Sequence, residues 1–354
     1  MSGTSADGID ACLAEIGDQH IHTLTHQFCP YPNELKASIE QLFTPNHNEI
    51  DRLGELNIEL AEHYAQAVKA LLEKSGKSAS DIQAIGNHGQ TVRHRPNAQR
   101  PFTLQLGCAT RLAMLTQIPV ISDFRTADIA LGGQGAPLVP AFHQAIFGSR
   151  DQTRAIMNIG GIANITLLSK EGNVLGWDTG PGNGLMDAWI QRQKQQPYDH
   201  NGEWAASGQV NEAALGTLLK HPYFEKSAPK STGKEEFTLE WVLANVPPMP
   251  EEDLQATLLM LTCKSIELAI SDTHIESLYV CGGGALNGRL LATLDGLIAA
   301  PVKTTQTLGV DPMHVEALAF AWLAYRFEHN LPGNLPCVTG ASRETVLGTK
   351  HPPR

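Results

Sequence analysis

The chain has 354 residues, length for about two domains, with 42% hydrophobic and 18% charged side chains. Lysine and arginine number 26 against 37 aspartates and glutamates, a formal net charge of -11. The hydrophobic share argues against a disordered chain, and the acidic balance argues against a nucleic-acid partner, which needs a basic face to release phosphate counterions.

Six cysteines (Cys12, Cys29, Cys108, Cys263, Cys281, Cys337) are scattered with no C-x-x-C pair, as expected of reduced thiols. No apolar run approaches the ~20 residues of a membrane span. The start, Met1 to Ser5, lacks the basic and apolar stretches of a signal peptide. The expectation is a soluble cytoplasmic protein with no membrane partner.

In chain order, Gly8–Ile16 and Ile21–Phe28 read as two strands of a meander joined near Gly17 and Asp18. Ile50, Leu53, Leu60, Tyr64, Val68 and Leu71 recur at helical spacing, predicting a helix over Glu49–Ser75 that Gly76 stops. Ile82–Ile85 and Ile118–Ser122 are short apolar runs of the kind that form buried strands. Arg154–Leu168 reads as strand, tight turn at Gly160 and Gly161, and strand. A helix over Leu254–Ser271 follows the acidic run Glu251-Glu252-Asp253, which suits a helix N-terminus. Leu278–Cys281 is a further strand. A last helix runs from about Asp311-Pro312 to Asn330, with Val315, Leu318, Ala319, Trp322 and Leu323 inward and Pro332 ending it. Alternating signals of both kinds predict α/β layers.

Five glycine-rich turns abut these elements: Gly3 to Gly8, Gly132 to Gly135, Gly160-Gly161, Gly180 to Gly184, and Gly282 to Gly284. Glycine is needed where the backbone takes positive φ or approaches a ligand closely, yet most glycine turns only reverse the chain. The first, Gly3-Thr4-Ser5-Ala6-Asp7-Gly8-Ile9-Asp10, reads either as a β-turn or as an anion cradle whose carboxylate holds the water shell of Mg²⁺. It is not a P-loop, having no lysine. Asn158 to Thr166 reads as a hairpin or as a phosphate clamp. Val280 to Asn287 places glycines between strand and helix, where a base or ribose lies against bare backbone. Asp178, in Trp177-Asp178-Thr179-Gly180-Pro181, is expected on a rigid exposed corner at a strand end, either as a turn aspartate or as a general base. Asn87-His88-Gly89-Gln90 and Ser122-Asp123-Phe124-Arg125 place polar groups after apolar runs, at strand ends where open sheets bind ligands.

Taken together, SGTSADGID (Ser2–Asp10), NHGQTVRH (Asn87–His94), DFRTADIALGGQGAPLVP (Asp123–Pro140), NIGGIANIT (Asn158–Thr166), WDTGPGN (Trp177–Asn183), CGGGALN (Cys281–Asn287), DPMHVEALAFAWLA (Asp311–Ala324) and VTGASRETVLG (Val338–Gly348) resemble the 1,6-anhydro-N-acetylmuramic acid kinases, over nearly the whole chain and in order. The resemblance implies the actin/hexokinase/Hsp70-like fold: two α/β domains, each a mixed five-stranded sheet flanked by helices, with a nucleotide cleft between. The domains would be 1–135 with about 312–354, and 136–311. It also implies ATP-dependent opening of the 1,6-anhydro ring with phosphorylation at O6, giving N-acetylmuramic acid 6-phosphate in peptidoglycan recycling. ATP and Mg²⁺ would be the cofactors, and a homodimer is an expected assembly.

By residue, the resemblance makes Gly3, Thr4, Ser5, Ala6, Asp7, Gly8, Ile9 and Asp10 the phosphate loop, with Asp7 at the metal. Gly160 and Gly161 would lie near the phosphates and Gly282, Gly283 and Gly284 by the adenosine. Asp178 would be the catalytic base. His88, Asp123, Arg125, Thr179 and Glu316 are the expected sugar contacts. Family members usually carry a short apolar strand before the first motif; here Met1 directly precedes Ser2, so the ladder bonds of that strand are expected to be unmade. Competing readings are a switch ATPase of actin/Hsp70 type, a truncated and inactive ATP-binding relative, and a plain glycoside hydrolase, which would act without ATP.

Overall fold

The structure, a computed structural model, describes residues 1–3, 6–17, 20–45, 47–228, 230–233 and 235–353. The chain divides into two compact units, Met1–Ile146 with Glu316–Arg354, and Phe147–Val315. Among the described residues the strands in chain order are β1 (Gly8–Ile16), β2 (Ile21–Pro30), β3 (Ile85–Gly86), β4 (Gln90–Arg95), β5 (Phe102–Leu106), β6 (Val120–Ser122), β7 (Arg154–Ile159), β8 (Ile162–Leu168), β9 (Val174–Pro181), β10 (Ser277–Cys281), β11 (Val302–Thr304) and β12 (Thr349–His351).

In the first unit β1 and β2 pair antiparallel, and a separate three-stranded sheet runs in the order β12-β6-β3. β4 and β5 form a hairpin. The expected five-stranded sheet is therefore divided in this unit, because no ladder joins β1 to β3 among the described residues. The helix Glu49–Ser75 forms as its spacing predicts and buries Leu56, Leu60, Tyr64 and Leu71, each apolar side chain contributing roughly 1.5–3 kcal/mol. It stops at Gly76, whose φ of 67° suits a residue without Cβ. Ile50 departs from the expected inward stripe: it sits in the first helical turn and is 85% exposed. The last helix, Val315–Glu328, buries Val315, Leu318, Ala319, Trp322 and Leu323 as its pattern predicts. Gly86 lets it approach β3, since a Cβ there would stand 2.1 Å from the carbonyl oxygen of Phe320.

The second unit has one five-stranded mixed sheet in the order β11-β10-β7-β8-β9. β10 runs parallel to β11 and β7, while β7, β8 and β9 form an antiparallel meander. Ala155, Ile156, Met157, Leu278 and Val280 on its central strands are fully buried. The helix Glu251–Ile270 begins with three acidic residues and packs beside β9. It is buried on much of its circumference, at Leu254, Leu258, Leu261, Thr262, Cys263, Ser265 and Ile266, so a single apolar stripe does not describe it.

Candidate active site

In the second unit three of the five glycine turns meet at one end of the sheet. The β7–β8 turn at Gly160-Gly161 is locked to the segment after β9. Gly182 and Gly184 both donate to the carbonyl of Gly161, at 3.0 and 3.2 Å, and Asn183 donates to that of Gly160 at 2.7 Å. The fit forbids side chains: a Cβ on Gly182 would stand 2.2 Å from the oxygen of Gly160, and one on Gly284 would stand 2.5 Å from Ile159 Cβ. Gly282, with φ of 76°, follows β10 directly; a Cβ there would meet Asn158 Oδ1 at 2.4 Å. The N–H groups of Gly161, Gly283 and Gly284 have no hydrogen-bond partner among the described residues, which leaves bare amides for an anion.

Asp178 leads into this junction, but inside a strand rather than at its end. β9 continues through Gly180 and Pro181, and proline is tolerated there because β9 is an edge strand. Its outer edge at Asp178 is covered. The N–H of Asp178 donates to the carbonyl of Lys230 (3.0 Å), and the N–H of Thr232 donates to Asp178 Oδ2 (3.0 Å). Tyr223 Oη donates to the main-chain oxygen of Asp178 at 2.6 Å. The expected exposed corner is therefore corrected to a half-buried strand position. Burial raises the carboxyl from 3.8 to about 6, against the opposing pull of the Thr232 amide. Oδ1 accepts from no described residue, so a carboxylate that is ionised at neutral pH keeps a lone pair available. Thr179, next in the strand, is buried and its hydroxyl donates to the carbonyl of Ala163 (3.2 Å).

In the first unit the buried His88 pairs with the half-buried Arg125. Arg125 Nη2 lies 2.8 Å and Nε 3.3 Å from His88 Nε2, while Nη1 donates to the carbonyl of Gly135 at 2.8 Å. A ring nitrogen facing two N–H donors must be an acceptor, so the imidazole is neutral. Its proton sits on Nδ1, 3.3 Å from the carbonyl of Ser2. Burial and the neighbouring guanidinium hold His88 well below the usual histidine range. Arg125 falls to about 10 through burial, offset by Glu316 and Asp128, and so stays charged at neutral pH. The structure thus gathers His88, Arg125 and Glu316. Asp123 stands apart: exposed, with φ of 56°, it accepts from the N–H of Thr126 at a helix start.

The phosphate-loop segment is mixed in character. Thr4 and Ser5 lie outside the described residues. Ala6 and Ile9 are buried in the core, Gly8 is wedged against Cys29 and Phe28, and Asp10 accepts from His26 at 3.1 Å. Gly3 accepts from Gln90 Nε2 (3.1 Å), and Asp7 is exposed.

One residue escaped the sequence reading. Asp128 is wholly buried. Its Oδ2 accepts from the N–H of Gly135, and its Oδ1 accepts from Asn334 Nδ2 and Thr339 Oγ1, both at 2.7 Å. It anchors the Gly132–Gly135 turn that in turn holds Arg125. Its partners lie 206 and 211 residues away, so no local signal marked it.

A profile described as anhydro-N-acetylmuramic acid kinase matches residues 1–353. The chain belongs to this family. It is 52% identical over 359 residues to the anhydro-N-acetylmuramic acid kinase of Shewanella pealeana, covering 99% of this chain and 97% of that one. It is 49% identical over 362 residues to the kinase of the same description from Saccharophagus degradans, covering 100% and 98%. Among solved structures, the activator of the 2-hydroxyisocaproyl-CoA dehydratase from Clostridium difficile with bound ADPNP is similar at 13% identity, over 91% of this chain and 98% of that one, with a TM-score of 0.44. Membership makes this anhydro-N-acetylmuramic acid kinase homologue a phosphotransferase acting on an alcohol group. No described helix is long and apolar enough to cross a membrane.

Proposed function

We propose that the protein opens the 1,6-anhydro ring of 1,6-anhydro-N-acetylmuramic acid and transfers the γ-phosphoryl group of ATP to O6, giving N-acetylmuramic acid 6-phosphate and ADP. The observation that carries the reading is Asp178: a half-buried carboxylate raised to about 6, with one oxygen tethered and the other open, on the strand that enters the glycine junction. Near-neutral carboxylates are suited to general-base work.

The atoms balance with a single base. Asp178 takes a proton from water as the water oxygen bonds to C1. The C1–O6 bond breaks, O6 bonds to the γ-phosphorus, and the β,γ-bridging bond breaks to release ADP. An inverting glycosidase needs a second carboxyl group to protonate the leaving oxygen; here phosphorus takes that proton's place. The free amides of Gly161, Gly283 and Gly284 support binding of the nucleotide, whose phosphates repel ordinary side-chain carboxylates but suit bare N–H groups. Arg125, braced by His88 and Gly135, supports recognition of the lactyl carboxylate, with Glu316 accepting from a sugar hydroxyl or amide.

Among the described residues no three acidic, histidine or cysteine side chains group as an all-protein metal cage, and the exposed Asp7 fits the single carboxylate that a phosphate-borne Mg²⁺ takes from a protein. When bound, the ion would neutralise charge on the transferring phosphoryl group. The six free thiols support a reducing compartment, and with ATP as co-substrate the cytoplasm is the proposed location.

The test couples nucleotide consumption to sugar. ADP release should depend on the anhydro sugar, and Asp178→Asn should keep nucleotide affinity while kcat falls by about 10²–10⁴. Sugar-independent ADP release would instead support a switch ATPase, and a near-normal rate in Asp178→Asn would remove the base from its role.

A further inference from the structure

The stretch that covers the outer edge of β9 holds Asp178 at three points. The hydroxyl of Tyr223 donates to its carbonyl, the carbonyl of Lys230 accepts from its N–H, and the N–H of Thr232 donates to Oδ2. Only the third touches the carboxyl group. It comes from the main chain, so it depends on where the backbone at Thr232 is held.

That backbone is anchored through a second carboxylate. Thr232 Oγ1 donates to Glu236 Oε2 at 2.6 Å, and the N–H of Glu236 donates to the carbonyl of Gly233 at 3.2 Å, which folds Glu236 back onto Thr232. Glu236 is itself fixed. Its Oε1 lies 3.5 Å from Lys226 Nζ, and the next residue, Phe237, is buried against Tyr223, Phe224 and Trp241, with Phe224 stacked on it at 5.6 Å between ring centres. Lys226 and Lys230 lie over the Tyr223 ring at 5.0 and 4.7 Å. The amino group of Lys230 also donates to the carbonyls of Tyr223 and Phe224 in the short helix Pro222–Glu225. Glu236 therefore links a packed aromatic cluster to a single hydrogen bond on Asp178.

We propose that Glu236 is a positioning residue for the reaction: by holding the Thr232 hydroxyl it keeps the Thr232 N–H on Asp178 Oδ2, which leaves Oδ1 as the oxygen that meets water. The inference rests on the reading of Asp178 as the base. A hydrogen bond from an amide favours the charged carboxylate and so opposes the burial that favours the protonated form. Slackening that bond raises the pH at which Asp178 loses its proton. The charged groups around it are otherwise engaged. Lys226 and Lys230 are held on Tyr223 and Glu236, His221 accepts from the N–H of Tyr223, and Glu225 and Glu235 are exposed. On the helix Glu251–Ile270, Lys264 and Glu267 pair with each other at 2.7 Å, and the residue opposite Asp178 on β8 is the uncharged Asn164.

The experiment uses the full chain and four variants, Glu236→Leu, Glu236→Gln, Thr232→Val and Thr232→Ser. It follows kcat/KM for the anhydro sugar between about pH 5 and pH 9, and the ¹³Cγ titration of Asp178 in the ligand-free protein, assigned by its loss in Asp178→Asn. Glu236→Leu and Thr232→Val should each move the acid limb and the ¹³C titration up by about one pH unit, lowering kcat/KM about tenfold at pH 5 and leaving it near native at pH 9. The two changes together should move it no further, since they cut one tether. Glu236→Gln keeps an oxygen acceptor and Thr232→Ser keeps the hydroxyl, so both should titrate as the native protein does. A Glu236→Gln that shifts as far as Glu236→Leu assigns the effect to charge and overturns the proposal. Unmoved titrations in Glu236→Leu and Thr232→Val, with only the melting temperature lowered, also overturn it, and leave Asp178 as the base if Asp178→Asn is inactive. A near-normal rate in Asp178→Asn overturns both readings.

Discussion

As the proposed base, Asp178 would have to be ionised to take a proton, yet its burial favours the protonated form, and two consequences follow. The rate should be constant at neutral pH and fall tenfold per pH unit as the pH drops below about 6, which a pH profile of kcat/KM reads directly. Because the folded-state value is raised above that of the unfolded chain, the stability Asp178 contributes is present at low pH and lost as the pH rises through about 6. Asp178→Asn should therefore melt at a higher temperature than the native protein at pH 8, by at most about 3 kcal/mol for a displacement from 3.8 to about 6 at ~1.4 kcal/mol per pH unit. Well below pH 3.8, where the carboxyl is protonated in both states, the difference should vanish. Asp128 gives the opposite expectation. Its removal leaves the Gly135 amide, Asn334 and Thr339 without their buried acceptor, so Asp128→Ala should cost about 3 kcal/mol or more in denaturant unfolding. Asp178 stands out in the sequence by its glycine and proline neighbours, whereas nothing next to Asp128 sets it apart. The first is marked by local backbone constraint and the second only by partners that folding brings to it.

At the level of elements, the glycine turns were equally conspicuous in the sequence and are unequal in the structure. Gly160-Gly161 and Gly182 to Gly184 interlock through main-chain bonds and Gly282 to Gly284 pack closely on Asn158 and Ile159, while the Gly132–Gly135 turn is fixed from below by Asp128. Gly182→Ala puts a Cβ against a backbone oxygen that cannot move without breaking the junction, so it should destabilise the unit by about 2 kcal/mol or more and weaken nucleotide binding. Gly216→Ala is the contrast. It lies in the helix Glu212–Leu218 with nothing within 4 Å of the added carbon, and should stabilise by roughly 0.5–1 kcal/mol with activity unchanged. The regular elements were the most legible part of the chain: the helix Glu49–Ser75 and the strands Gly8–Ile16 and Arg154–Leu168 stand where apolar spacing placed them. Asp178 misled at this level because Gly-Pro normally ends a strand, and only its place at a sheet edge lets β9 run on.

For the whole molecule, family membership spans residues 1–353, so both units are accounted for by one lineage. The second unit has the mixed five-stranded sheet that the resemblance implies, and the first has its strands divided around a groove. Which strands pair was not legible, since ladders join segments such as β6 and β12 that are more than 200 residues apart. Local glycine constraint was more legible than strand pairing, because small residues at fixed spacing leave a clearer trace than long-range pairing does.

A single turnover of ATP and 1,6-anhydro-N-acetylmuramic acid in ¹⁸O-labelled water, with products weighed and fragmented, tests the central claim most directly. Solvent oxygen should be found at C1 of a sugar that carries phosphate on O6, with none in the phosphate. Label in free inorganic phosphate beside unopened anhydro sugar would contradict it.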